Sequence, residues 1–321
     1  MNLFLKRVFN FVLIFFSGLT GTLILINFLT RNSLILKLEH DKNYVVLGHS
    51  HSECAYDDGF IDKFKNVSQS GEAYLYTYLK AEKLIKQNEN LEFIFLEFTN
   101  NQIQSSMDIW IKDKEFIEAR YPDYSSFMSY TEYQIMASLN LSKLLLEIPS
   151  GIEQNILFIK NRKSNFLNNY GRHLKLDKLL VKQDLLKIDS LYAIEQSKSK
   201  EVSKLNIKYL KKIIELCRNK GVQIVLIRTP FHPLYLLNKN QDLYNAFIKS
   251  DFKDVKYLDF SRFQLELNEL ADTQHLNKWG AERYSKWFNE FLKLGRLDQP
   301  TVDSLILIEN TRLKALDDFL N

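Results

Sequence analysis

Asn43-Tyr44-Val45-Val46-Leu47-Gly48-His49-Ser50 is the stretch that decides the fold. Four apolar residues, two of them β-branched, run into a glycine, which is how a strand buried on both faces meets the turn that follows it. The turn carries a serine between two histidines, His49 and His51, and leads into a short helix through Cys54 and Ala55. Four more segments of the same kind follow: Phe64-Lys-Asn-Val-Ser68, Leu91-Glu-Phe-Ile-Phe-Leu-Glu-Phe98, Gly221-Val-Gln-Ile-Val-Leu-Ile227 and Val255-Lys-Tyr-Leu-Asp-Phe260. Between the second and third, Ala73–Gln87 repeats its apolar residues at helical spacing. Strands that alternate with helices predict a parallel sheet with helices on both faces, and such sheets carry their sites at the carboxyl ends of the strands.

Working outward toward the N-terminus, Phe9–Leu29 is an apolar run without charge. It has about the 20 residues needed to cross a bilayer. Lys6 and Arg7 precede it and Arg31 follows, which favours a cytoplasmic N-terminus and a soluble part outside the cytoplasm, periplasmic or extracellular. A cleaved signal peptide is the alternative, although no small-x-small site closes the run. The expected organisation is a cytoplasmic segment over 1–8, a membrane anchor over 9–29, a stalk over 30–42 and one catalytic domain over 43–321. A helical, aromatic-rich insertion or cap is expected over about 102–200. Gly18 and Gly21 could mark a close helix contact within the anchor.

Composition excludes several classes of function. The 43 basic and 39 acidic residues are spread along the chain, giving a net charge of +4 with no basic block to hold a nucleic acid. Cys54 and Cys217 form no C-x-x-C pair, and the six histidines show no H-E-x-x-H or comparable spacing, so neither a metal nor another cofactor is expected.

Late in the chain, Asp272-Thr-Gln-His275-Leu-Asn277 precedes an amphipathic helix with Ala281, Tyr284, Trp287, Phe288, Phe291 and Leu292 on its apolar stripe and Gly295 as its stop. A serine hydroxyl needs a histidine to take its proton and an acid to hold that histidine in the right tautomer. Ser50, His275 and Asp272 supply these three groups. Structural alternatives exist for four residues: Ser50 as a helix N-cap, Asp272 as a turn cap, Gly71 as a turn glycine and Asn100 as a strand-end Asx turn, whereas His275 is harder to explain away. Ser52 is a second candidate serine. Glu97, at the end of an apolar strand, calls for a hydrogen-bonded partner rather than a catalytic role.

The order Ser50, Gly71, Asn100, Asp272-x-x-His275 along an α/β chain resembles the SGNH (GDSL-like) hydrolase pattern. It is most similar to membrane-anchored extracytoplasmic members that act in acylation of cell-surface polymers, such as the D-alanyl transfer protein and alginate O-acetylation types. The first block reads Gly48-His49-Ser50 where the namesake has Gly-Asp-Ser, and the third reads Thr99-Asn100-Asn101 without its glycine. The resemblance implies a flavodoxin-like SGNH fold with Ser50 as nucleophile, Asp272 and His275 as its relay, and Gly71 and Asn100 at the oxyanion hole. His49, His51, Asn101 and His232 are candidate site-lining residues. It also implies an O-acyltransferase or esterase on an acyl-ester or glycan substrate, with a membrane-bound O-acyltransferase as an expected partner. A non-catalytic scaffold of an envelope polysaccharide machine is the third class.

Overall fold

A computed structural model describes residues 3–161, 166–168, 171–190, 201–236 and 240–320. The chain divides into two compact units, Met1–Leu36 with Ile111–Phe166, and Lys37–Trp110 with Leu167–Asn321.

In the first unit, α1 (Leu3–Ser33) is one helix long and apolar enough to cross a membrane, as an anchor or a signal sequence. Two of its hydroxyls bond within the helix: those of Thr22 and Thr30 donate to the carbonyls of Gly18 and Ile26, each at 2.9 Å. Among the described residues, nothing lies within 4 Å of a Cβ built on Gly18 or Gly21. Helices α4 (Lys114–Tyr124) and α5 (Tyr130–Lys160) complete the unit, and α5 bends at Asn140, whose backbone leaves the helical region. Asn155 of α5 ties back to α1, donating to Asn27 Oδ1 at 2.7 Å and accepting from the Thr30 hydroxyl at 3.2 Å.

The second unit holds a five-stranded, wholly parallel sheet made of β1 (Tyr44–Leu47), β2 (Phe64–Asn66), β3 (Phe93–Glu97), β4 (Gln223–Arg228) and β5 (Lys256–Asp259). All five lie within the segments predicted as strands, except that β4 runs one residue further, to Arg228. Their spatial order is β2-β1-β3-β4-β5. This is the flavodoxin-like doubly wound order, which reverses direction at β1. The helices between strands are α2 (Ser50–Ala55), α3 (Tyr74–Gln87), α7 (Lys204–Lys220) and α8 (Gln241–Lys249), numbered after the short α6 (Val181–Leu186); α9 (Lys278–Lys293) and α10 (Gln299–Leu320) close the chain. Right-handed crossovers put α2 on one face and α3, α7 and α8 on the other, because β1 to β2 runs opposite to every later step.

Side chains alternate accordingly. Val46, Phe95, Val225, Ile227 and Leu258 share a core with Ala281, Tyr284, Phe288 and Phe291 of α9 and with Val302 and Ile306 of α10. Within α10, Leu305 and Ile306 pack on this core while Leu307 and Ile308 stay exposed. Val45, Leu47, Ile94 and Leu96 face the opposite side and are fully buried too. Gly295, at positive φ after α9, ends that helix as the sequence predicts, and Gly221, also at positive φ, ends α7 ahead of β4.

The segment 102–200, expected as one insertion, is divided between the units. Residues Ile111–Phe166 belong with α1, whereas Val181 of α6 sits in the core of the second unit and the Leu180 N–H donates to the Ala271 carbonyl. Its last ten residues, 191–200, lie outside the described residues. Cys54 and Cys217 are both free and buried.

Candidate active site

Because every strand runs the same way, the segments after β1, β2 and β3 all emerge at one edge of the sheet. They carry Ser50, Gly71 and Asn100. Ser50 is the first residue of α2, with His49 at the N-cap position, so the Ser50 hydroxyl is not spent on capping. It points instead to His275 Nε2, 2.8 Å away. His275 Nδ1 lies 2.9 and 3.0 Å from the two Asp272 oxygens. A carboxylate on Nδ1 fixes the proton there and leaves Nε2 as the acceptor facing the serine.

Three devices hold this loop. Asp272 Oδ1 accepts the backbone N–H groups of Gln274 at 2.7 Å and His275 at 2.9 Å, locking its rotamer. Leu270 and Leu276 pair across the loop's base, with the Ala271 N–H donating to the His275 carbonyl at 2.9 Å. Asn277 then N-caps α9, its Oδ1 accepting from Trp279 N and Gly280 N at 3.0 and 3.1 Å. Gly280 is required here, since a Cβ would collide with the Glu269 carbonyl. Burial would raise the Asp272 carboxyl, but the hydrogen bond and charge of His275 and the two backbone donors hold it below its ordinary value. The His275 and Asp272 side chains are 18% and 28% exposed, open enough for a substrate to reach them.

The turn before Ser50 is organised by Glu97 at the end of β3. Its side chain is fully buried against Gly48, where any Cβ would collide with the carboxylate. Glu97 Oε2 accepts from His49 N at 3.1 Å and Ser52 N at 2.9 Å, and Oε1 stands 2.8 Å from His49 Nε2. Burial raises this carboxyl, but His49 above all, then His51 and Ser52, more than offset it and lower it to about 2. The partner that sequence required for Glu97 is therefore the turn that carries Ser50. Ser52 is fully buried, with its N–H committed to Glu97.

The other candidates are distributed around this centre. Gly71, at φ +68°, closes the turn between β2 and α3, tied to α2 where Ser70 N donates to Glu53 Oε2 at 2.7 Å. Asn100 donates to Gln241 Oε1 at 3.1 Å, and Asn101 Oδ1 accepts the Thr99 hydroxyl. The rings of His49 and His51 meet at 4.7 Å, and His51 packs edge-on to His275 at 5.3 Å. The His232 N–H donates to the Thr273 carbonyl at 3.1 Å, and burial lowers the pKa of its imidazole.

His232 also lines an open groove of about 1470 Å³ at the ends of β4 and β5, together with Arg228, Phe231, Gln241, Asp259 and Phe263. Ser50 does not line this groove. Buried Arg228 donates to Asp259 at 3.2 Å and to Gln241 at 2.9 Å. Sequence reasoning did not single out this group. Its signal was there, in opposite charges ending two apolar strands that pair in register.

The fold and these contacts define a doubly wound α/β protein with a serine, histidine and aspartate in hydrogen-bonded series at the strand ends. A protein-family model matches residues 163–294, less than half of the 321. No curated protein matches. Among solved structures, the chain is similar to one described as a candidate platelet activating factor from Streptococcus pneumonia, at 13% identity and a TM-score of 0.37 over 88% of this chain and 97% of that one. A likeness of that strength carries no argument about chemistry.

Proposed function

We infer that this protein is a serine acyl-ester enzyme of the SGNH type, acting beside a membrane and passing an acyl group to a surface glycan. The observation that supports this most is the unbroken series from Asp272 through His275 to Ser50 Oγ, at 2.9 and 2.8 Å. Ser50 Oγ attacks the acyl carbonyl as its proton moves to His275 Nε2. The tetrahedral intermediate collapses, His275 returns that proton to the departing alkoxide, and the acyl group stays on Ser50. An acceptor hydroxyl then gives its proton to His275 and attacks the acyl-enzyme, and His275 passes that proton to the departing Ser50 Oγ, restoring the free serine.

Backbone N–H groups of Ser50 and Gly71 and the amide of Asn100 are our candidates for the oxyanion hole. The adjacency of β2 and β3 to β1 supports that assignment. Asn100 would have to share or exchange its bond to Gln241 to serve there. The apolar helix α1 supports a place at a membrane; a catalytic unit outside the cytoplasm and a membrane-bound O-acyltransferase as its partner are part of our proposal. Water as acceptor would make the same acyl-enzyme an esterase.

The test is fluorophosphonate labelling of the detergent-solubilised protein. Wild type should label, and Ser50→Ala and His275→Ala should not. Well-folded wild type that fails to label would remove the nucleophile and favour a non-catalytic subunit.

A further inference from the structure

Ser50 Oγ has a second imidazole beside it. His49 Nδ1 lies 3.4 Å away, and the other nitrogen of that ring, Nε2, is 2.8 Å from Glu97 Oε1. The serine oxygen thus stands between two carboxylate-held histidines, one pair half-open and the other sealed, with His49 and Glu97 side chains 1% and 0% exposed.

The proton count along this series is constrained. Glu97 Oε2 is taken by two backbone N–H groups, which leaves Oε1 to face His49 Nε2 as the acidic partner of an ion pair at 2.8 Å. Ser50 has one hydroxyl proton, and His275 Nε2 at 2.8 Å is the nearer acceptor. Oγ therefore meets His49 Nδ1 with a lone pair, and Nδ1 must carry a proton to match it. A sealed carboxylate calls for the same answer, since an uncompensated charge in that position is costly. The remaining groups around His49 are His51 on the same turn, with Nδ1 3.8 Å from Glu97 Oε1, and Thr99, whose hydroxyl is 3.4 Å from His49 Nε2. The Trp110 ring lies 5.2 Å from that of His49.

Resting on Ser50 as the nucleophile, we propose that His49 is a second catalytic histidine, a donor at both ring nitrogens, whose Nδ1–H holds Ser50 Oγ and stabilises negative charge on it. Glu97 is its positioning residue. No proton leaves His49 in the cycle: the Ser50 proton goes through His275 to the leaving alkoxide, the acceptor's proton comes back to Ser50 by the same route, and the Glu97–His49 pair stays charged throughout. The 3.4 Å contact is long for a hydrogen bond, as catalytic contacts often are before substrate binds.

His49, His51 and Glu97 also bring three ligand atoms within 4.8 Å of one another. A tetrahedral ion with bonds of about 2 Å would hold its ligands about 3.3 Å apart. The His49 and Glu97 atoms stand closer than that, as an ion pair at 2.8 Å.

The experiment compares fluorophosphonate labelling rates of full-length wild type, His49→Gln, Glu97→Gln and the double variant, with Ser50→Ala as blank. Each single substitution should slow labelling by about 10- to 100-fold. The double variant should be no slower than the slower single, because Glu97 acts through His49. Single-variant rates within about twofold of wild type, or losses that multiply in the double variant, would overturn the proposal. A stoichiometric metal ion in purified wild type would overturn it as well. Should the variants unfold, ¹⁵N NMR of histidine-labelled wild type decides: a ring protonated on both nitrogens and assigned to His49 is expected, and a neutral His49 sinks the idea. Absence of any labelling in wild type would instead remove the Ser50 reading, which separates the two failures.

Discussion

At the scale of single residues, Asp272 and Glu97 are both carboxylates held by backbone donors, yet they serve opposite ends of one serine. Replacing Asp272 with Asn keeps the shape and removes the charge that fixes the His275 tautomer. Labelling or ester turnover in Asp272→Asn should fall by about 10³- to 10⁴-fold with the melting temperature little changed, the scale seen for such an acid in serine triads. Activity within tenfold of wild type would mean that Asp272 only caps its turn.

Glu97 gives a pH signature. Its carboxyl is lowered from 4.5 to about 2, so its contribution to stability is full above the unfolded value and fades as pH falls from about 4.5 toward 2. Denaturant titrations across that range should show wild type losing stability steeply. Glu97→Gln should be less stable at pH 7 and flatter in acid. Parallel curves for the two proteins would show that the charge of Glu97 is not what holds the turn.

At the scale of elements, α9 both packs the core and anchors the loop that carries Asp272 and His275. Asn277 is the joint between these roles: buried, it caps α9 through Oδ1 and donates through Nδ2 to the Asn268 carbonyl at 2.6 Å. Asn277→Ala should cost about 1–2 kcal/mol, read as a lower denaturation midpoint. It should also slow labelling at Ser50, because His275 sits two residues upstream. A stability loss with an unchanged labelling rate would show that the Leu270–Leu276 pairing alone positions the histidine.

At the scale of the whole molecule, the chain is built as two units, and α1 is shared work for the first. Asn155 of α5 depends on Asn27 and Thr30 for its polar contacts. Deleting residues 1–36 should therefore speed proteolysis within 111–166 and leave cleavage within 37–110 unchanged. Equal protection of 111–166 in both forms would show that α5 needs nothing from α1. The full-length protein should stay with membranes through an alkaline wash; its release would point to a signal sequence rather than an anchor.

Sequence by itself determined the strands, the principal helices of the sheet and the apolar N-terminal helix, because each depends on periodicity and end signals carried by neighbouring residues. The β-branched run before Gly48 and the stripe from Ala281 to Leu292 are local patterns of that kind. Sequence also supplied Ser50, Asp272 and His275 as residue types that could cooperate, although two of them lie more than 220 positions from the third. Only the tertiary structure decided that His275 Nε2 reaches Ser50 Oγ, that Glu97 grips His49, and that 111–166 folds with α1 rather than with the sheet. Those outcomes depend on strand order and side-chain direction, which are set by packing between segments distant in sequence and leave no mark in any local stretch.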